Sequence, residues 1–527
     1  MRPADLVFVN GTVLTGDPAR PVAAAVATTG PRIVALSDDA LALTSGAEVF
    51  DLRGATVTTG LVDSHTHPTL ALDSVRGVDL TGCVDLTAVR DRLTAHAHQA
   101  DDEWIIGWGL DPNAFGSSVL TAEVVDAAAG GRPALVHLFD GHSALASREA
   151  LHRAGITGAR RFVSSATIPV DADGRPTGLL VEPEAVDLVR EIIPAEGDDQ
   201  RLERLAAVLA AMAATGLTGG HVMDCHGDTL DLLAALEASD RLPLRLRIAP
   251  WCSPGDDVAA LLDGQGRHGR LWEVAGVKLF LDGTIDGGTA WLHEPDRDGC
   301  STGPYWPDPA RYAEAVQSLH AAGVPTATHA IGDAAVEFVL DTLATLPPGP
   351  RHRIEHLETL PDDQIPRFAR LGVVASMQPT HATDYTRADH SDNWSSRLGP
   401  ERADRGWRCA DILRTGAVVT LGSDWPVAPY DPRAVMAAAR LRRPAHRPDL
   451  DPVGVAQVLT AADALTGYTA APAWAAGVED VAGRIAVGRR ADLTVWAGNP
   501  LQCAAEDLPE LPVLASVVDG VIRHRAG

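Results

Sequence analysis

Nothing in this sequence pairs its cysteines. Cys83, Cys225, Cys252, Cys300, Cys409 and Cys503 lie far apart and never as Cys-x-x-Cys. That spacing excludes a disulfide framework and a zinc knuckle in a chain this long. No apolar run reaches membrane-spanning length, and the opening MRPADLVFVNGTVLTG has no apolar stretch ahead of a cleavage site. A cytoplasmic location is therefore expected. Positive charge is scarce, with 44 Lys and Arg against 70 Asp and Glu, a formal net charge of −26. A surface this acidic repels nucleic acid and anionic membranes, which leaves a small-molecule substrate as the expected partner. No internal repeat or low-complexity tract stands out.

What is present is a chain of 527 residues, 46% of them hydrophobic. It exceeds one ordinary domain but suits a large barrel with a smaller module. The two ends resemble each other. DLVFVNGTVLTG, PRIVALS and AEVFDLRGATVTTG form a short-strand pattern at the start, and GRIAVGRRADLTVWAG and VLASVVDGVIRHR form one at the end. Asn10-Gly11 and Asp519-Gly520 read as hairpin turns. Neither end has enough strands to stand alone, so one small β-sandwich-like domain is expected from 1–57 and 477–527 together.

Between them, apolar β-branched runs alternate with alanine-rich helical stretches such as LERLAAVLAAMAATG. Eight candidate strands follow one another: ATVTTGLVDSH, TGLTGGHVMD, LRLRIAPWC, VAGVKLFLDG, VPTATHAIGD, RHRIEHLE, GVVASMQP and AVVTLGSDWP. This pattern predicts an α/β fold, a (β/α)8 TIM barrel over 58–476. The stretch from Pro68 to about Gly216 is far longer than one crossover helix needs. An insertion over about 75–200, after the first barrel strand, is expected to form a lid or subdomain at the barrel mouth.

Against that frame the polar residues form a pattern. His65 and His67 end the first strand, Lys278 lies in the fourth, His329 ends the fifth, His356 the sixth and Asp424 the eighth. The C-terminal ends of the strands are where this architecture keeps its active site. Residues i and i+2 of an extended strand share a face, so His65 and His67 can chelate one ion. His96 and His98 have the same spacing, but in a helical stretch their side chains diverge by about 200° and read as surface. Asp282 and Asp286 follow the lysine strand and either face the mouth or fix a turn. Gln378 and His381 end the seventh strand. Trp108 and His142, in the insertion, are candidates for substrate contact, with core packing the alternative for Trp108. His226 and His293 read as surface residues.

The motifs GLVDSHTHP, VKLFLDGT, HAIGD, RIEHLE and LGSDWPVAPYDP, with DGHSALAS and the C-terminal GRIAVGRRADLTVW, resemble the amidohydrolase superfamily. Within it they are most similar to the amidohydrolase-3 branch, which includes N-substituted formamide deformylases. The resemblance spans essentially the whole chain. It implies that His65, His67 and Asp424 bind one metal ion and that His329 and His356 bind a second. Lys278, as a carbamate formed with CO2, bridges the two. One or two Zn2+ ions suit a nitrogen and oxygen ligand set without thiolate, with iron, manganese or nickel as alternatives.

The implied reaction is hydrolysis of a non-peptide C–N bond in an N-substituted formamide or other N-acyl amine. Metal-activated water attacks the carbonyl, and Asp424 serves as base and then acid. A cyclic amide, imine or ester is the alternative substrate. A non-catalytic scaffold or regulatory relative is the third reading, disfavoured because every ligand position is filled. The resemblance also allows a homodimer.

Overall fold

The computed structural model describes residues 4–99, 103–116, 118–164 and 166–526. Eight parallel strands organise the central chain: β1 (Leu61–Thr66), β2 (Leu217–Val222), β3 (Arg245–Ile248), β4 (Val277–Phe280), β5 (Thr326–Ala330), β6 (Arg353–His356), β7 (Val374–Met377) and β8 (Val419–Leu421). Strands β1 to β3 pair in chain order, as do β4 to β8. Two backbone contacts join these groups. Lys278 N donates to Pro250 O, just beyond β3, at 2.8 Å, and Asp424 N donates to His65 O at 2.7 Å. Thr66 also forms a parallel bridge with Trp425. Each strand therefore neighbours its successor, and the last lies beside the first.

The pairing fits the residues. β5 (TATHA) and β7 (VASM) are buried along their whole length, as strands covered on both faces must be. The helices between them bury one stripe. In Asp198–Ala214, which leads into β2, Leu205, Leu209, Met212 and Ala213 are buried, recurring at near 3.6-residue spacing while Asp, Glu and Arg face outward. Gly422, after β8, passes so close to β1 that a Cβ there would lie 2.6 Å from His65 N. Only glycine lets the last strand approach the first histidine this closely.

Between β1 and β2 the chain builds a five-stranded sheet ordered Leu179–Val181, Ser143–Ala146, Ala134–Leu138, Ile105–Leu110, Val78–Asp79. The termini share a six-stranded sheet in which Thr56–Thr59 pairs with both Thr12–Leu14 and Leu493–Trp496. Among the described residues, no helix is long and apolar enough to cross a membrane.

One turn differs from the sequence reading. Asp519 and Gly520 both have positive φ, at 54° and 75°, and join the antiparallel pair Val513–Val518 and Val521–Arg525, a hairpin as expected. Asn10-Gly11 is not a hairpin. The strand before it pairs with Val26–Thr29 and Glu48–Asp51, and the strand after it pairs in a different sheet. Only Asn10 has positive φ, whereas the tight hairpin turn needs two such residues. Gly11 is required for another reason: a Cβ would lie 2.4 Å from Ala55 O. The dipeptide turns a corner between two sheets.

Candidate metal centre

The strand ends bring their polar side chains to one buried point. His65 Nε2 lies 3.2 Å from His67 Nε2. Asp424 Oδ1 lies 3.2 Å from the first of these nitrogens and 3.1 Å from the second. Four ligands at 2.0–2.1 Å around a tetrahedral ion are about 3.3 Å apart, so this spacing is that of ligands around a shared cation. Asp424 Oδ2 lies 3.7 Å from both His356 Nδ1 and His381 Nε2. His65, His67 and Asp424 form one group able to hold a metal ion, and His356, His381 and Asp424 form a second.

Hydrogen bonding decides which ring nitrogens are free. His65 Nδ1 sits 2.6 Å from Glu355 Oε2, and His329 Nε2 sits 3.0 Å from Gly283 O. Each of these nitrogens carries the proton, because its partner can only accept. The opposite nitrogen, His65 Nε2 or His329 Nδ1, then offers a lone pair. His65 Nε2 thus faces the Asp424 carboxylate acceptor to acceptor, an arrangement that a cation resolves. His67 Nδ1, Asp224 Oδ1 and His381 Nε2 are buried without a hydrogen-bond partner, as expected of groups awaiting a metal or water. The residues present fit a divalent cation.

Backbone conformation helps deliver these side chains. His356 and Leu357 have φ of 76° and 54°, and Asp424 has φ of 59°, a region that side-chain-bearing residues seldom occupy outside functional sites. Lys278 enters from the second residue of β4 rather than from a strand end, and its Nζ lies 3.4 Å from His65 Nε2. Burial lowers the Lys278 amine to about 8, partly opposed by Glu355 and Asp424, so the neutral amine is accessible near neutral pH. Burial and the Lys278 charge lower His65 to about 4. Burial alone would raise Asp424, but His65, His67 and His381 outweigh it and hold the carboxylate far below its usual range. Nitrogen lone pairs and an ionised carboxylate are the forms a metal needs.

Lys278 has a further distinction. It is the only lysine among the 44 Lys and Arg residues of the chain. Arginine fills every other Lys or Arg position but is never deprotonated in a protein. The single exception falls where a neutral amine can react.

Above the centre lies a cavity of about 580 Å³, with Trp108, Phe139, Trp251, Phe280 and Tyr305 in its lining. His142 reaches it from the insertion, its ring 5.2 Å from that of His329 and its Nδ1 2.9 Å from Glu182 Oε2. Burial would lower His142, but Glu182 outweighs it and raises the imidazole to about 9.

The other expected substrate contacts divide. Trp108, Asp286 and His381 line the cavity, but His381 also belongs to the second ligand group. Asp282 is in the lining too, yet its carboxylate accepts from Trp291 N, Ile331 N and Gly332 N at 2.8–3.0 Å and fixes two loops. Gln378 is fully buried and stands outside the lining. His226 and His293 are exposed, as expected, although His226 reaches the cavity rim and packs edge-on against Trp251.

Several supporting residues escaped sequence reasoning. Glu355 orients His65 and is itself held by Arg353, which also donates to Ser64 O and Ser376 Oγ, both at 2.6 Å. The i, i+2 rule that pairs His65 with His67 would have placed Arg353 and Glu355 on one face of β6. Asp224, 3.8 Å from His67 Nδ1, and Glu182 carry no comparable local signal. Replacing Glu355 with glutamine is expected to weaken metal binding about 10–100-fold in titrations against a metal buffer. Unaltered affinity would show that the carboxylate does not orient His65.

Comparison with known proteins agrees with this geometry. Residues 48–524 match the model of the Amidohydrolase family. The chain is 29% identical over 487 residues to the putative amidohydrolase YtcJ of Bacillus subtilis, covering 90% of each protein. It is 26% identical to an N-substituted formamide deformylase of Arthrobacter pascens, covering 99% of this chain and 98% of that protein. A solved structure of an uncharacterized metal-dependent hydrolase from Pyrococcus horikoshii superposes with a TM-score of 0.74 at 24% identity, over 95% of this chain and 99% of that one. Such neighbours establish a (β/α)8 TIM-barrel-type α/β fold.

Proposed function

Since this chain belongs to the Amidohydrolase family, a family of metal-dependent hydrolases acting on C–N bonds, we propose that it hydrolyses N-substituted formamides or related N-acyl amines. The observation that carries this reading is the convergence of His65 Nε2, His67 Nε2 and Asp424 Oδ1 within 3.1–3.2 Å at a single point, beneath a cavity whose lining includes Trp108, Phe139, Trp251, Phe280 and Tyr305. The deformylase relative, matched over nearly its whole length, supports the substrate class. These five aromatic side chains suit an apolar substituent on the amide nitrogen.

In this reading His65, His67 and Asp424 hold one divalent ion, zinc by the chemistry of the donors. His329 and His356 would hold a second, and Lys278, as a carbamate, would supply a further carboxylate ligand. His381 supplies a further ligand or contacts the substrate. A bound cation supplies Lewis acidity and lowers the pKa of water. Asp424, ionised and facing both ligand groups, takes a proton from the attacking water and returns it to the leaving nitrogen. His142, held by Glu182, and Trp108 orient the amide from above. The barrel at 58–476 carries this chemistry, the small β unit at 1–57 and 477–527 braces it, and the insertion covers the mouth.

The test is a panel assay on metal-reconstituted protein, with N-benzylformamide, N-acetylbenzylamine, cyclic amides, imines and esters. Formate or acetate release with free amine is the expected product signature. Turnover restricted to cyclic amides, imines or esters would replace the proposed substrate class. Absence of bound metal would remove the hydrolytic reading altogether.

A further inference from the structure

A second cavity, of about 280 Å³, lies at the opposite end of the strands from the metal centre. Thr59 and Gly60 before β1, Thr218 and Gly219 early in β2, and Arg245 opening β3 contribute to its wall. It could hold about nine waters at roughly 30 Å³ each. In a chain with a net charge of −26 its lining is basic: Arg245, Arg247, Arg270 and Arg490, against the carboxylates Glu273 and Asp492.

Three of the four guanidinium groups are anchored. Arg245 pairs with Asp492 at 2.9 Å and also with Asp519, Arg270 pairs with Asp519 at 2.9 Å, and Arg247 pairs with Glu273 at 2.8 Å. The fourth is not. Half-buried Arg490 makes no side-chain hydrogen bond or ion pair among the described residues. Burial, and then the neighbouring Arg245 charge, push it below the usual arginine range, partly opposed by Asp492, Glu273 and Asp519. In the same wall the buried Trp272 indole N–H has no acceptor. Arg247, with five donors, uses only one in its pair with Glu273. The lining sets four guanidinium groups against two carboxylates, and one of the four has no direct hydrogen-bonded partner among the described residues. Clustered like charges are costly unless opposite charge lies among them.

We propose that this cavity binds a small oxyanion, a phosphate or carboxylate group, with Arg490 and Arg247 as its principal donors. Arginine's planar fork matches two oxygens of either group. The anion adds negative charge among the four guanidinium groups, between the strand starts and the 469–492 segment. Ligation there is separate from the metal centre and independent of which amide the enzyme cleaves.

Calorimetric titration of the metal-loaded enzyme with inorganic phosphate, and separately with succinate, tests this. Binding of at least one is expected, weakened tenfold or more by both Arg490→Gln and Arg247→Gln while metal content stays at the wild-type value. The stronger of the two titrants identifies the oxyanion class. If Arg490→Gln misfolds, Arg247→Gln, whose partner Glu273 is half-exposed, decides alone. No binding of either anion, or binding that both substitutions leave unchanged, overturns the proposal. The second result would assign the heat to the metal centre.

Discussion

Replacing Asp424 with asparagine is expected to lower kcat about 10²–10⁴-fold while most of the metal remains bound. One carboxylate spans both ligand groups: Oδ1 faces His65 and His67, and Oδ2 faces His356 and His381. Asparagine keeps one oxygen in place as a weaker ligand, but its amide cannot accept a proton from water. The left-handed backbone at this position, with φ of 59°, is one that asparagine tolerates well. Loss of activity would therefore not reflect added strain. Steady-state kinetics beside elemental analysis of the same sample make the measurement. Near-wild-type turnover with the metal confirmed present would remove Asp424 from the proton-transfer role.

Exchanging Lys278 for arginine is expected to have an equally large effect through a different route. The substitution keeps a cation but makes it permanent, in a fully buried position beside His65 Nε2. An unpaired buried charge costs about 3–5 kcal/mol, so metal affinity should fall by two powers of ten or more. Because the chain has no other lysine, a carbamate can form only here or on the α-amino group. Carbon NMR of metal-loaded protein equilibrated with 13C-bicarbonate should show a carbamate signal that Lys278→Arg loses. A wild-type spectrum without that signal would rule out the carbamate, and wild-type metal affinity in the variant would exclude Lys278 from the centre.

These two residues also show how far the chain could be read before it was folded. The pairing of His65 with His67 rests on a two-residue period, a local property of any strand, and the structure brings their Nε2 atoms to 3.2 Å. The same period, applied to Arg353 and Glu355, would have found the carboxylate that orients His65. The lone lysine was visible in the composition. Asn10-Gly11 misled because the dipeptide reports a tight reversal of direction and not which sheets its flanking strands join. For Asp282 the chain left open whether it faces the mouth or fixes a turn; it lines the cavity and also accepts from three backbone amides of two loops.

Strand and helix periods, turn residues and the order of polar strand ends depend on neighbours within a few positions, so the amino-acid sequence by itself determined the alternating architecture and the residues at the mouth. Approach across more than a hundred residues depends on how loops pack, and only the tertiary structure decided it. Packing alone set His142 against Glu182, Asp224 beside His67, His381 among the possible ligands, and four arginines around one cavity at the far end of the strands.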